Sequence, residues 1–318
     1  MTAAAAAFAL GAMSAQAAEN VTYLFPAPDF LPAFAPLQLA KSKGYFEEAG
    51  LDVTFRIGKG GADVATQVAA GNADLGGAIG DTPIIVRPNG LDVRGVALLG
   101  GHGLTQLAWR TDTGITGPAD LEGKTVGVIS YQASTYYALR GALASEGLDE
   151  NDVSIQSVGA GGLIQLMAAG RLDAIADSPD ATVGVQEAGI EIDQVPVDTL
   201  FPSMAQAIIA SGETIAERPE MIRAFVAAVL RAVEDISADP AAAAQEFAAV
   251  VPQYQDREDE VRKILEDYAT LVYPPAEGHP LGTFDPARMK AVQDFYLEAG
   301  IVQSAVPVED LYTNEFVQ

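Results

Sequence analysis

From Val21 onward the chain alternates short apolar runs with amphipathic stretches, the pattern of strand, turn, helix and strand repeated. Val21–Phe25 and Asp52–Ile57 read as strands, and between them Pro36–Lys43 reads as a helix stopped by Gly44. A second helix, Asp63–Ala70, ends at Gly71, and short strands are expected near Ala73–Ile79 and Val93–Leu99. Strands and helices alternating at this spacing build a parallel-rich sheet covered by helices, because each crossover must pass over a sheet face. The expected fold class is α/β.

A second series follows a Gly, Thr and Asp-rich stretch: strand Thr125–Ile129, helix Thr135–Glu146, strand Val153–Ser157, helix Gly162–Ala169, strand Leu172–Ala176 and helix Ala181–Gly189. The two series also echo each other in residues. Ala69-Ala70-Gly71-x-x-Asp74 leads to Asp81-Thr82-Pro83, and Ala168-Ala169-Gly170-x-x-Asp173 leads to Asp177-Ser178-Pro179, an imperfect repeat. Two extended segments, Leu104–Arg110 and Met204–Ala210, flank the second series and are assigned as hinge strands. The expected division is lobe 1 from residues 21–107 and 206–318, and lobe 2 from residues 108–205. In Pro219–Ala238 the residues Met221, Ile222, Phe225, Val226, Val229, Leu230, Val233 and Ile236 form one apolar stripe, the mark of an amphipathic helix. The remainder, through Val317, reads as helical and packs back onto lobe 1.

Composition narrows the function classes. At 318 residues and 49% hydrophobic content the chain exceeds what one core serves, which fits two lobes. A formal charge of −25 repels phosphate backbones and anionic headgroups, and no Lys/Arg cluster interrupts that field. Nucleic acid is therefore excluded as a partner. The absence of cysteine rules out disulfides, thiolate metal sites and cysteine nucleophiles, and the histidines are two, His102 and His279. At the start, the apolar run Ala3–Ala12 and the small-x-small Ala15-Gln16-Ala17 have the shape of a signal peptide over residues 1–17. Its positive n-region is missing, which leaves a truncated start or an Ala-rich helix of a cytosolic protein to set beside export. The expectation is a soluble, exported, periplasmic protein.

In open α/β sheets the ligand crevice lies beyond the carboxyl ends of the strands, so the loops after strands hold the candidate site. Pro26–Phe34 follows the first strand, with the carboxylate of Asp29 and the flat face of Phe30. Gly60 and Gly61, entering a helix, let backbone amides approach a ligand, with Lys59 the one cation in these loops. The full Gly-x-x-x-x-Gly-Lys-Ser/Thr pattern of a phosphate-binding loop is lacking. Asp81 and Thr82 open another helix, as ligand contacts or as caps. In the second series Tyr131 offers a stacking ring, and Ser134 and Thr135 offer hydroxyls and amides at a helix start. Gly161 and Asp177 complete the set, with Asp180 close behind. No nucleophile elbow, His-x-x-x-His or calcium loop is found, so neither catalysis nor a metal or cofactor is expected.

Three motifs in order carry a family resemblance. Leu39-Ala40-Lys41-Ser42-Lys43-Gly44-Tyr45-Phe46 with Gly50-Leu51-Asp52-Val53, then Ala70-Gly71-Asn72-Ala73-Asp74 with Gly80-Asp81-Thr82-Pro83, then Pro118–Val128, resemble the nitrate/sulfonate/taurine-type periplasmic binding proteins. The resemblance implies a two-lobed type II periplasmic-binding-protein fold, with mostly parallel sheets flanked by helices and two hinge crossovers. It also implies a monomeric receptor that closes on its ligand and docks on an ABC permease driven by an ATPase. By position, the family's ligand loops fall on Asp29 and Phe30, Gly60 and Gly61, Asp81 and Thr82, Ser134 and Thr135, and Asp177. The same group includes thiamine-pyrimidine synthesis enzymes, whose chemistry uses an N-terminal histidine and iron-binding cysteines; here the earliest histidine is His102. The expected ligand is a small polar organic solute, zwitterionic or heterocyclic, with an alkanesulfonate as nearest competitor. A surface protein without a transport role is the remaining alternative.

Overall fold

The computed structural model describes residues 18–317, so the expected leader, residues 1–17, lies outside the described residues. Strand β1 (Glu19–Phe25) leads through a Pro-rich loop to α1 (Ala35–Ser42) and α2 (Tyr45–Glu48), then to β2 (Leu51–Ile57). Next come α3 (Gly61–Ala69), β3 (Leu75–Ile79), α4 (Thr82–Val86) and β4 (Val93–Leu98). The chain then crosses over and forms β5 (Gln106–Arg110), β6 (Thr125–Val128), α5 (Ser134–Ser145), β7 (Ser154–Ser157) and α6 (Gly159–Ala168). After β8 (Ala174–Asp177), α7 (Pro179–Glu187) and β9 (Ile192–Pro196), it returns as β10 (Gln206–Ser211). Strand β9 was not anticipated, because its Ile192–Pro196 run lacks a clear apolar alternation.

Two mixed five-stranded sheets result, in the orders β2-β1-β3-β10-β4 and β7-β6-β8-β5-β9. The expected mostly parallel sheets are present, with one reversed strand in each, next to the edge strands β4 and β9. β10 pairs antiparallel with β3 and β4, and β5 pairs antiparallel with β8 and β9. A strand arriving from the other lobe enters at the cleft, where the parallel strands end, and so must run against them. For the same reason Leu104–Arg110 and Met204–Ala210 are not free hinge strands: β5 and β10 are built into the sheets, and residues 99–105 and 197–205 cross between them. The expected boundary at 107/108 falls inside β5. The crossovers are tied together by Asp198, whose carboxylate accepts the amides of Gly103 and Ser203, each at 3.1 Å, and pairs with Arg288.

The sequence repeat has a structural counterpart. Gly71 and Gly170 end α3 and α6 at φ +72° and +66°, the left-handed region in which glycine avoids a Cβ clash. Three residues on, Asp74 accepts the Thr22 amide at 2.7 Å and Asp173 accepts the Thr125 amide at 2.8 Å. In each lobe this carboxylate fastens the turn to the neighbouring parallel strand.

Beyond α8 (Gly212–Glu217), α9 (Pro219–Ala238) buries its apolar stripe against α1, α2 and the first sheet, with the Phe225 ring stacked on Phe46 of α2 at 4.9 Å and on Tyr23 of β1 at 5.4 Å. Each large side chain so buried contributes roughly 1.5–3 kcal/mol. The helices α10 (Pro240–Val250), α11 (Glu258–Asp267) and α12 (Pro286–Glu298) follow. They do not all return to lobe 1, since α11 packs on α7 of the second lobe and Lys263 pairs with Glu187. Nor is the chain helical to Val317: after α12 it runs irregularly along β4, where the Gly95 amide donates to Leu311 and the Thr313 amide to Gly95. That segment covers an edge strand that would otherwise present unpaired amides.

Candidate functional site

The carboxyl ends of β1, β3, β6 and β8 converge on a cavity between the sheets, with about 690 Å³ of empty space including its solvent-open mouth. One wall is Pro26, Ala27, Leu31, Ala33 and Phe34 from the loop after β1, drawn inward where Pro32–Phe34 forms a 3₁₀ turn. Tyr23, Leu37, Ile79, Leu99 and Leu104 extend the apolar lining, and Ile129 and Ala133 close it from the second lobe. No Lys, Arg or His stands among the lining residues.

The lobes touch around this cavity. The Ala62 amide donates to Gln132 O at 3.4 Å, and the Thr82 and Ser134 hydroxyls meet at 3.2 Å. Gly60 has φ +119°, and a Cβ there would lie 2.4 Å from the Gln132 carbonyl oxygen; one at Gly61 would lie 2.3 Å from Ser134 Oγ. Glycine at both positions is what allows the two loops to close to contact. A third tie is Asp180, whose Oδ1 accepts the Ala33 amide at 2.7 Å and whose Oδ2 accepts Ser178 Oγ at 3.0 Å and the Tyr268 hydroxyl at 2.9 Å.

Of the expected residues, Gly60, Gly61, Ser134, Thr135 and Asp177 line the cavity. Thr82 stands behind Ser134, at the seam. The others are placed elsewhere, for identifiable reasons. Asp29 and Phe30 precede the 3₁₀ turn that carries their neighbours inward; Asp29 offers its carbonyl to Gln38, and Phe30 packs against the core. Asp81 is buried beneath α12, where the Tyr296 hydroxyl donates to it at 2.5 Å; burial pushes its pKa up to about 6. Tyr131 is 51% exposed, turned outward with its hydroxyl donating to Ile155 O at 3.0 Å. Gly161 lies exposed in the first turn of α6, because that helix starts at Gly159. Lys59 is exposed as well.

Asp177 ends β8, buried, with Oδ1 accepting the Ser178 amide at 2.8 Å. Desolvation raises its pKa to about 7, and the charge of nearby Asp180 adds to that. Burial likewise raises Asp180, opposed by the donors it has gathered. Sequence reasoning missed Gln206, the first residue of β10, which lines the cavity with Oε1 buried and unpartnered. Thr135 Oγ1 is in the same condition, as are both amide atoms of Gln106, the residue that opens β5 opposite Asp177. A signal was present: Gln106-Leu107-Ala108 and Gln206-Ala207-Ile208 each place one amide at the head of an apolar strand.

A family model described as NMT1/THI5 like matches residues 31–243. The riboflavin-binding protein RibY of Chloroflexus aurantiacus is 27% identical over 289 residues, covering 89% of this chain and 82% of that protein. The 4-amino-5-hydroxymethyl-2-methylpyrimidine phosphate synthase of Aspergillus parasiticus is 26% identical over 238 residues, covering 70% and 68%. Among solved structures, the alkanesulfonate-binding protein SsuA of Xanthomonas axonopodis pv. citri, bound to MOPS, superposes with a TM-score of 0.71 at 17% identity, covering 94% and 99%. That last likeness is one of fold: the architecture is that of periplasmic binding proteins.

Proposed function

The chain belongs to the NMT1/THI5-like family, and on that premise we propose that it is the extracytoplasmic solute-binding receptor of an ABC import system. It captures a small polar organic solute between its lobes, heterocyclic rather than anionic, and delivers it to the permease and its ATPase. One observation carries this reading: an apolar cavity at the strand ends, closed by contacts from both lobes, holding a carboxyl and no cation. A flat ring gains from burial against Pro26, Phe34, Leu99 and Ile129. A sulfonate or nitrate would be desolvated beside Asp177 without a counter-charge, an expensive arrangement. The riboflavin and pyrimidine names among the relatives support a ring-bearing solute.

Among the described residues no helix is long and apolar enough to cross a membrane, consistent with a receptor that works beside a separate permease. Closure follows from bending at residues 99–105 and 197–205, the two strands of backbone that cross between the sheets. A receptor must release its ligand unchanged, whereas a synthase on this fold would convert it. Native mass spectrometry of freshly purified protein, with a thermal-shift screen of nucleobases, flavins, amino acids and alkanesulfonates, tests the reading. The expected result is one stoichiometric, chemically intact ring-bearing ligand. A product formed beyond stoichiometry would replace receptor by enzyme, and no shift with any solute would remove the receptor reading.

A further inference from the structure

We propose that the floor of the cleft reads the edge of an uncharged planar heterocycle carrying adjacent ring N–H and C=O groups, through the Gln206 amide, the Thr135 hydroxyl and the Asp177 carboxyl. This rests on the receptor reading and adds to it the chemistry of the ligand. Gln206 makes no side-chain hydrogen bond to any described residue, and its Oε1 is buried. Thr135 Oγ1 is buried and unpartnered on the opposite lobe. A polar atom left in this state destabilises the empty protein, and such atoms in native structures call for a partner from outside the chain. Both belong to one cavity, so a single ligand is able to satisfy both.

Position strengthens the case. Gln206 opens β10 in register with Ile79, the last residue of β3, and Gln106 opens β5 in register with Asp177, the last residue of β8. Directly opposed residues share a sheet face, so Gln206 shares the face of the cavity residue Ile79, and Gln106 shares that of Asp177. A carboxamide presents donor and acceptor side by side, the complement of a cyclic amide or imide edge. The charge of the ligand follows from its surroundings. Asp177 opposes an anion, and a cation would find that one carboxyl within an apolar lining, since Asp180 is committed to Ala33, Ser178 and Tyr268.

Calorimetry on the full chain at pH 7 with uracil, riboflavin, their N3-methyl derivatives and MOPS tests this. Uracil or riboflavin is expected to bind, with its N3-methyl derivative weaker by about tenfold or more. Gln206→Leu should weaken the unmethylated ring by about the same factor and abolish the difference between the pair, and Thr135→Val should weaken it independently. Denaturant melts provide the control, because removing an unpartnered amide leaves the variant at least as stable as its parent, whereas a structural glutamine would lose stability. Binding of MOPS but of neither ring overturns the edge reading. So does a bound ring whose affinity is untouched by N3-methylation and by Gln206→Leu, since apolar walls alone would then hold it. If the wider solute screen finds a ligand without a ring amide, this inference falls and the receptor stands; if that screen finds none, both fall.

Discussion

A carboxyl at the end of a strand, out of water and without a cation, behaves differently from the solvated majority of this acidic chain. Asp177 is raised by burial to about 7 from 3.8. The sign is that of a folded state that holds its proton more tightly than the unfolded one, so ligand-free stability falls as pH rises from about 4 through about 7. Asp177→Asn should flatten that fall, measured as denaturant midpoints across the range; a slope unchanged by the substitution would remove Asp177 as its source. Asp81 acts in the same direction with a pKa of about 6, so the flattening is partial. Tyr131 makes the opposite case. Its ring packs edge-on to Tyr136 at 5.5 Å, outside the cavity, so Tyr131→Leu should leave ligand affinity within about twofold by calorimetry. From sequence, a tyrosine after a strand looked like a stacking platform; which way it turned depended on the Ile155 carbonyl that accepts its hydroxyl.

Among the elements, α7 carries more of the architecture than its sequence announces. Asp180 in its first turn gathers an amide from the loop after β1, a hydroxyl from its own turn and the hydroxyl of Tyr268, just beyond α11. Asp180→Ala strips the acceptor from three buried donors, and each orphaned donor costs about 1–3 kcal/mol. We expect a loss of at least about 3 kcal/mol in urea unfolding, and a change below about 1 kcal/mol would show that water substitutes for the carboxylate. The long helix α9 needed no such tertiary information. Its stripe from Met221 to Ile236 and the proline in its first turn were legible because helical period and packing face coincide. Strand β9 and the tail along β4 were not, since their edges are chosen by neighbouring strands and not by local pattern.

At the scale of the whole molecule, certain contacts exist only when the lobes meet, among them Ala33 with Asp180, Ala62 with Gln132, Ser130 with Lys59, and Thr82 with Ser134. Solution scattering should therefore show a smaller radius of gyration with ligand than without. Gly60→Ala, whose new Cβ meets the Gln132 carbonyl, should hold the protein at its open radius and weaken binding. Equal radii for free and bound parent protein would refute hinge closure. The α/β class, the internal repeat and the strand-end loops were written in local order, because period, turn residues and strand length act over a few neighbours. The same holds for Gly60, Gly61, Ser134, Thr135 and Asp177, each adjacent in sequence to the strand or helix end that places it. What only the tertiary structure decided were the antiparallel insertion of β5 and β10, the burial of Asp81 under α12, and the arrival of Gln206 in the cavity. Each depends on which lobe a segment enters and from which end, and that is set by contacts between residues far apart in the chain.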